Sequence, residues 1–222
     1  VQAARLAEDG YKEIVLTGIE ISSWGVDFRD GSGLADLVEG VCQAAPGLRV
    51  RLGSLEPRTI TEEFCRRLAK LPNLCPHFHL SMQSGSDTVL KRMNRKYDTA
   101  RYYESVRLLR IYFDRPGITT DLIVGFPGET EEEFTESLSF VEKCAFTAMH
   151  IFPYSRRSGT PAAAMPDQIS NAGKEDRAHR AGAVAKQLEE AYLDSWVGQT
   201  LPVLFEEEKE GMWRGHAPNY VE

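Results

Sequence analysis

The sequence lacks several features that would assign a protein to a class at once. It has no run near the roughly 18 apolar residues that a membrane span needs, and no charged-then-apolar leader opens it. The chain also has fewer basic than acidic residues: 26 Lys and Arg against 33 Asp and Glu, which gives a net charge of −7. The composition therefore shows no basic face of the kind that binds nucleic acid, and any RNA partner must bind at a local patch. We expect a cytoplasmic protein with no membrane partner.

Cysteine is scarce, and its spacing matches no metal motif. The four cysteines, Cys42, Cys65, Cys75 and Cys144, lie far apart and form no CxxC or similar pair. Free cysteine behaves as a small apolar residue and is often buried. We interpret all four as buried, reduced thiols and expect no metal bound by this chain.

Short apolar runs alternate with helical segments along most of the chain. The predicted strands are Glu13–Thr17, Arg49–Ser54, His77–Met82, Ile118–Val124 and Thr147–Phe152. This alternation predicts an α/β fold of parallel strands with crossover helices. Each run ends in a polar or glycine-bearing phrase. That favours a barrel, complete or partial, over a doubly wound open sheet, because all strand ends of a barrel open onto one mouth.

Helix starts carry recognisable capping signals. Thr130 followed by Glu133 predicts a capping box, and Thr61, Ser86 and Thr99 are predicted N-caps. A long helix is predicted from about Ser170 to Trp196. Its predicted apolar stripe is Ala181, Val184, Leu188, Ala191 and Tyr192.

The pattern changes after the long helix. Leu201, Val203 and Phe205 alternate with other residues, an acidic turn is predicted at Glu206–Glu210, and Trp213 begins another run. This predicts a β-hairpin of a second, all-β unit. We therefore place the predicted domains at 1–196 and 197–222. Two strands are too few to be stable alone, and the segment 1–9 predicts a helix with no capping residue before it, so we expect a fragment.

Charged residues near strand ends are the candidate site residues. Asp121 lies inside an apolar strand, where a carboxylate needs a partner or a polar cavity. Glu20 and Glu56 end two strands and would suit a cationic ligand at a shared mouth. Arg156 and Arg157 offer positive charge to a carboxylate or phosphate.

Five blocks resemble, in the same order, successive blocks of the radical S-adenosylmethionine tRNA methylthiotransferases. They are LTGIEISSWG, RLGSLEPRTITEEF, HFHLSMQSGSDTVLKRMNRKY, TTDLIVGFPGETEEEF and HIFPYSRRSGTPAA. GSLEPR and FPYSRRSGT are more similar to the branch acting on N6-threonylcarbamoyladenosine at position 37 of tRNA than to the isopentenyladenosine or ribosomal-protein branches. The tail VGQTLPVLFEEEKEGMWRGHAPNYVE resembles the opening of a TRAM domain, a small β-barrel that holds tRNA.

The resemblance implies a partial (βα)6 barrel that binds S-adenosylmethionine across its strand ends. By position in the family motifs, Gly18 and Glu20 are implied to contact the methionine amino group, and Ser54, Glu56 and Gln83 the ribose and methionine part. Arg95 is implied for the carboxylate. Ile123 and Gly125 match the adenine-supporting strand, and Phe152 and Tyr154 the adenine edge. We add Asp121 to the cofactor site, and Arg156 and Arg157 as substrate residues. The implied partners are a tRNA anticodon stem-loop and an electron donor.

The chain departs from the family at one point. The CxxxCxxC motif, which holds a [4Fe-4S] cluster in the family, is absent. In the family this motif lies upstream of the segment aligned with Val1, together with a domain that carries a second cluster. Because clusters need thiolate ligands, we expect the intact enzyme to hold two clusters and this chain neither.

The activity implied is 2-methylthio addition to threonylcarbamoyladenosine, with another branch of the family as the alternative. Two other classes stay open on the residues alone. A cluster-free barrel enzyme would need a strand-end histidine or lysine, for which the candidates are His77 and His79 of the third predicted strand. A non-catalytic RNA-binding module is disfavoured by the net charge of −7, which repels the phosphates of RNA.

Overall fold

Helices and parallel strands alternate through residues 1–222, all of which the computed structural model describes. The helices are α1 Gln2–Glu8, α2 Leu34–Ala44, α3 Glu62–Leu68, α4 Asp87–Arg92, α5 Thr99–Tyr112, α6 Glu131–Cys144, α7 Pro161–Ala164 and α8 Asn171–Asp194. The strands are β1 Glu13–Leu16, β2 Arg49–Leu52, β3 His77–His79, β4 Gly117–Val124, β5 Ala148–Pro153, β6 Leu204–Lys209 and β7 Met212–His216. No helix combines the length and apolar character that a membrane crossing requires.

The chain divides into two units. The first comprises Val1–His79, Arg107–Gly117 and Gly198–Glu222, and the second comprises Leu80–Val106 and Ile118–Val197. In the first unit β1 pairs in parallel with β2, with Glu13 opposite Arg49. In the second, β4 pairs in parallel with β5. The predicted α/β pattern of parallel strands is confirmed.

The five predicted strands are all present, but the first three end earlier than predicted: β1 by one residue, β2 by two and β3 by three. The prediction extended the third strand to Met82, whereas β3 ends at His79. Beyond it, the Met82 amide donates to the Thr120 hydroxyl at 3.0 Å and so leaves the regular ladder. Side-chain competition of this kind is not visible in an apolar sequence run.

The capping predictions have mixed outcomes. Thr130 caps α6 in a full capping box with Glu133, and Thr61 caps α3 by accepting from the Phe64 amide at 3.2 Å. Ser86 stands at the N-cap of α4, but its hydroxyl bonds to side chains instead of capping the helix. Thr99 is the first residue of α5, and Asp98 takes the capping role by accepting from the Arg101 amide at 2.8 Å.

The predicted long helix is confirmed as α8, although its buried side chains differ from the predicted stripe. Ala181 is buried, but Ala191 is exposed. Two charged residues, Lys174 and Arg177, are each only 9% exposed. Helical periodicity alone cannot show that the first turns of α8 pack against polar groups of a loop.

The predicted hairpin is present with a different turn. β6 and β7 are antiparallel, and β6 runs through Leu204–Lys209, so most of the predicted acidic turn is strand. The turn is Glu210–Gly211, and both residues have positive φ, 54° and 78°. Paired positive φ values are typical of a two-residue hairpin turn whose twist matches the strands.

The C-terminal segment of the first unit is anchored by a buried arginine and a ring stack. Arg51 is 5% exposed, bonds Glu13 Oε1 at 2.7 Å, and donates to the carbonyls of Ala217 and Pro218. The ring of Tyr220 stacks on His77 with centroids 4.2 Å apart. Burial, aided by the charge of Arg51, lowers the pKa of His77 to about 3. His77 is thus a neutral core residue, which counts against the cluster-free enzyme that would need it.

Candidate functional site

In the first unit, the phrases after β1 and β2 approach each other. The Glu56 amide donates to the Ser22 hydroxyl at 2.9 Å, which ties the loop after β2 to the loop after β1. Glu20 and Glu56 consequently line one cleft of ≈ 500 Å³. Gly18 lines a neighbouring cleft of ≈ 1090 Å³ beside β1, and Ser54 is exposed at the end of β2.

The two acids of this cleft differ in their partners. The Glu56 carboxylate lies 3.3 Å from Arg58, so part of its charge is compensated. The Glu20 carboxylate is exposed and makes no ion pair or hydrogen bond. Of the two, Glu20 is the better placed to attract a cationic group.

In the second unit, parallel pairing places predicted site residues on one face of the sheet. Asp121 lies opposite His150, and Ile123 lies opposite Phe152. Opposed residues of parallel strands point to the same side of the sheet, and alternate residues share a face. Leu122 and Val124, which point the other way, are buried, whereas Asp121 and Ile123 are only partly buried. Asp121 thus lies on the less buried face of the sheet, where the Ser81 hydroxyl donates to its Oδ2 at 3.5 Å.

Gln83 adds a single bridged residue to this sheet, opposite Leu122. Its amide donates to the Asp121 carbonyl at 2.9 Å, and its own carbonyl accepts from the Ile123 amide at 2.9 Å. Its φ is +71°, a left-handed conformation that is uncommon outside glycine and is associated with functional sites. The Tyr97 hydroxyl lies 2.9 Å from the Ser81 carbonyl and 3.0 Å from that of Met82, which fixes the chain just before Gln83.

The glycine loop after β4 is closed by its own side chains. Gly125 has φ +71°, and its amide donates to Glu129 Oε2 at 2.7 Å. Arg177 donates to the same oxygen at 2.7 Å. Burial raises the pKa of Glu129, and the Gly125 amide and Arg177 oppose that rise by stabilising the carboxylate. Because the Gly125 amide is already bonded, the loop supports the strand end and does not cradle a phosphate through that group.

The two arginines beyond β5 differ in whether their side chains have a hydrogen-bond partner. Arg156 Nε donates to the Ala163 carbonyl at 2.8 Å and so holds α7. The Arg157 guanidinium is exposed and makes no ion pair or hydrogen bond. Arg95, at the end of α4, is exposed as well and likewise has no side-chain partner. Tyr154 is fixed by its amide, which donates to the Val124 carbonyl at 2.8 Å.

Three residues around these strand ends were not predicted from the sequence. His150 shares a face with Asp121, and an alignment of the two predicted strands could have indicated it. Lys174 and Arg177 reach the glycine loop from α8. No signal in the sequence pointed to them, because a helix some 45 residues downstream meets the loop only in the folded chain.

The cysteines of this chain do not fit an iron–sulfur cluster. All four are free and buried, as predicted. Burial raises the pKa of Cys42 and Cys75 to about 11 and that of Cys65 to about 12, which disfavours the thiolate that an iron ligand requires. No group of three or more His, Cys, Asp or Glu residues is arranged to hold a metal ion.

Comparison with known sequences gives consistent matches. The family model described as the radical SAM superfamily matches residues 1–141. The threonylcarbamoyladenosine tRNA methylthiotransferase MtaB of Bacillus subtilis is 40% identical over 99% of this chain and 50% of its own length. The tRNA-2-methylthio-N(6)-dimethylallyladenosine synthase of Symbiobacterium thermophilum is 40% identical over 92% of this chain and 45% of its own length. The chain spans about half the length of these curated relatives.

A solved structure supports the fold. Coproporphyrinogen III oxidase from Escherichia coli, described as a radical SAM enzyme, matches with a TM-score of 0.57 over 69% of this chain and 37% of its own. At 19% identity this likeness concerns the fold alone. Together with the parallel strand pairs, it identifies the α/β architecture as the partial barrel type that the sequence predicted.

Proposed function

The chain belongs to the radical SAM superfamily, and from this premise we propose that it is the barrel part of a tRNA methylthiotransferase. The proposal is supported by two curated relatives of that activity, each about 40% identical to the chain over more than nine tenths of it. The alternative of a non-catalytic RNA-binding module has no support among them. The proposed enzyme adds a methylthio group to an adenosine of tRNA.

The proposed cofactor is S-adenosylmethionine, held by the strand-end residues. Glu20 offers an uncompensated carboxylate to its cationic part, and Gly18, Ser54, Glu56 and Gln83 are proposed as further contacts of its methionine and ribose part. Ile123, Gly125, Phe152 and Tyr154 are proposed to support its adenosyl group, with Asp121 beside them. When bound with its cluster, the cofactor supplies radical chemistry. The cluster ligands are proposed to come from cysteines outside this chain, because its own thiols do not fit.

The proposed substrate is N6-threonylcarbamoyladenosine. The two relatives named above differ in substrate at the same identity, so the choice depends on the site. The observation that carries it is Arg157, a guanidinium at the end of β5 that has no partner in an acidic chain. A threonylcarbamoyl group carries a carboxylate, which a guanidinium can bind through two parallel hydrogen bonds. A dimethylallyl group would leave Arg157 without a role.

The experiment compares Arg157→Ala with Arg156→Ala in the intact protein. Binding of anticodon stem-loops is measured with threonylcarbamoyladenosine and with unmodified adenosine. We expect Arg157→Ala to weaken binding of the modified stem-loop about tenfold and to leave the unmodified one nearly unchanged. Arg156→Ala is the matched control, since its guanidinium is engaged with Ala163. Equal losses on both stem-loops would sink the substrate assignment.

We propose three further properties with the same function. Segment 197–222, which contains the β6–β7 hairpin, is proposed to open a tRNA-binding domain. The enzyme is proposed to act in the cytoplasm, where its tRNA substrate is found. It is also proposed to take electrons from a separate donor.

A further inference from the structure

Lys174 is a buried cation at the carboxyl end of β4. It lies in the first turns of α8 and is 9% exposed. Its aliphatic part covers Gly125 so closely that a Cβ added there would lie 2.5 Å from Lys174 Cγ. Its ammonium lies 5.3 Å from the centroid of the Tyr154 ring. The side chain therefore packs along the end of β4.

Two acids of the glycine loop and the start of α6, Glu129 and Glu131, are already engaged by other donors. Glu129 receives Arg177 and the Gly125 amide, and Glu131 receives Arg180. The Lys174 ammonium itself makes no ion pair and no hydrogen bond. The ring of Tyr154 is thus the neighbour of the ammonium charge, and a cation–π contact leaves its hydrogen-bond donors unused.

The neighbouring Tyr154 hydroxyl is a second polar group without a partner. It is buried and makes no hydrogen bond. Its ring is held by edge contact with Phe126, with centroids 5.3 Å apart, and its amide by the Val124 carbonyl. Buried polar groups of native proteins nearly always have a partner, so this hydroxyl is available to a bound molecule, ion or water.

We propose that Lys174 and Tyr154 form a subsite that binds an oxyanion. An ammonium and a phenolic hydroxyl are both donors, and a carboxylate or phosphate oxygen accepts from both. The subsite lies where β4 and β5 end, the edge at which barrel enzymes bind their ligands. Its existence is independent of the proposed function. The source of the oxyanion rests on that function and is either the carboxylate of the modified base or a phosphate of the RNA.

The first test uses inorganic phosphate as the probe and the intact protein. The thermal unfolding midpoint is measured in phosphate and in chloride at equal ionic strength. We expect phosphate to raise the midpoint of the wild type and of Lys174→Arg, and to have no such effect on Lys174→Met, which keeps the aliphatic cover of Gly125. Tyr154→Phe should reduce the shift.

The control for this test lies on the same helix. Lys186→Met removes an exposed lysine that pairs with Glu190 and should leave the phosphate response of the wild type intact. A wild type that does not respond to phosphate would overturn the subsite. So would a response that survives in Lys174→Met.

The second test identifies the source of the oxyanion by measuring affinity for anticodon stem-loops. If the source is the base carboxylate, Lys174→Met weakens binding of the threonylcarbamoyl-modified stem-loop about tenfold and spares the unmodified one. If it is a phosphate, both lose affinity alike and the salt dependence becomes shallower. Unchanged affinity for both would overturn the assignment to RNA. Failure of the wild type to bind either stem-loop would instead count against the proposed function, since the phosphate test does not depend on RNA.

Discussion

Gly125 shows how much one residue of the loop after β4 is constrained. Its φ of +71° lies in the left-handed region, and its Cα faces the Lys174 side chain. Gly128 in the same loop has nearly the same φ, +72°, but the atom closest to an added Cβ is 4.0 Å away. The two glycines therefore separate the backbone cost of a substitution from its steric cost.

We predict that Gly125→Ala destabilises the protein more than Gly128→Ala does. Placing an alanine in the left-handed region costs roughly 1–2 kcal/mol, and this applies to both. At Gly125 the new methyl group would also clash with Lys174, which adds a cost of about 1–3 kcal/mol typical of overpacking. Urea unfolding of both variants measures the difference. Equal losses would show that the Lys174 side chain yields without cost.

Glu133 should make stability depend on pH in the acid range. Burial alone would raise its pKa, but hydrogen bonds from Arg92, Thr88 and the Thr130 amide lower it to about 2. A folded-state pKa below the ordinary 4.5 means that the unfolded chain binds the proton more readily. This stabilisation is complete above pH 4.5 and is lost as the pH falls towards 2.

We therefore predict that Glu133→Gln lowers the free energy of unfolding at pH 7, on the order of 2 kcal/mol. The same variant should lose less additional stability than the wild type between about pH 4.5 and pH 2. Urea titrations across this range measure both effects. Glu142→Gln is the control, because Glu142 is exposed on the same helix. If the unfolding free energy of Glu133→Gln fell with pH as steeply as that of the wild type, the role of Glu133 in the acid dependence would be contradicted.

At the scale of elements, the start of α6 is fixed by a local contact. The Thr130 hydroxyl accepts from the Glu133 amide at 3.2 Å, and the Glu133 carboxylate accepts from the Thr130 amide at 2.9 Å. Both bonds satisfy helix-end amides within four residues of sequence. A contact this local is why the start of α6 could be predicted. The Ser86 hydroxyl instead donates to Glu136, and Asp98 takes the cap expected of Thr99.

We predict that Thr130→Ala destabilises the protein by about 1 kcal/mol, the usual cost of losing an N-cap. Thr135→Ala is the matched control, since Thr135 lies inside α6 and its hydroxyl donates to the Glu131 carbonyl on the exposed side. Alanine is favourable inside a helix, so the control should be neutral or slightly stabilising. Chemical denaturation distinguishes the two, and the prediction is wrong if they behave alike.

At the scale of the whole molecule, Arg51 connects segments that are far apart in the chain. It pairs with Glu13 on the neighbouring strand and donates to the carbonyls of Ala217 and Pro218. The guanidinium is nearly buried, so its removal would leave Glu13 without its partner. The C-terminal segment would also lose two of its hydrogen bonds.

We predict that Arg51→Met destabilises the protein by about 3–5 kcal/mol, as is usual when one partner of a buried ion pair is removed. Limited proteolysis should also cut the segment after His216 faster than in the wild type. The double variant Glu13→Gln with Arg51→Met should recover part of the loss, because no buried charge then remains unpaired. An unchanged cleavage rate in Arg51→Met would contradict the anchoring role.

The sequence by itself determined the strands, most helix starts, the buried thiols and the resemblance to a family, because these depend on local periodicity, capping chemistry and motifs. It also indicated Asp121, since an acid in an apolar strand is visible without a structure. Only the tertiary structure decided which neighbours these residues have. The pairing of β4 with β5 places His150 beside Asp121, and the packing of α8 brings Lys174 and Arg177 to the glycine loop. Contacts of this kind depend on segments far apart in the chain, and no local pattern encodes them.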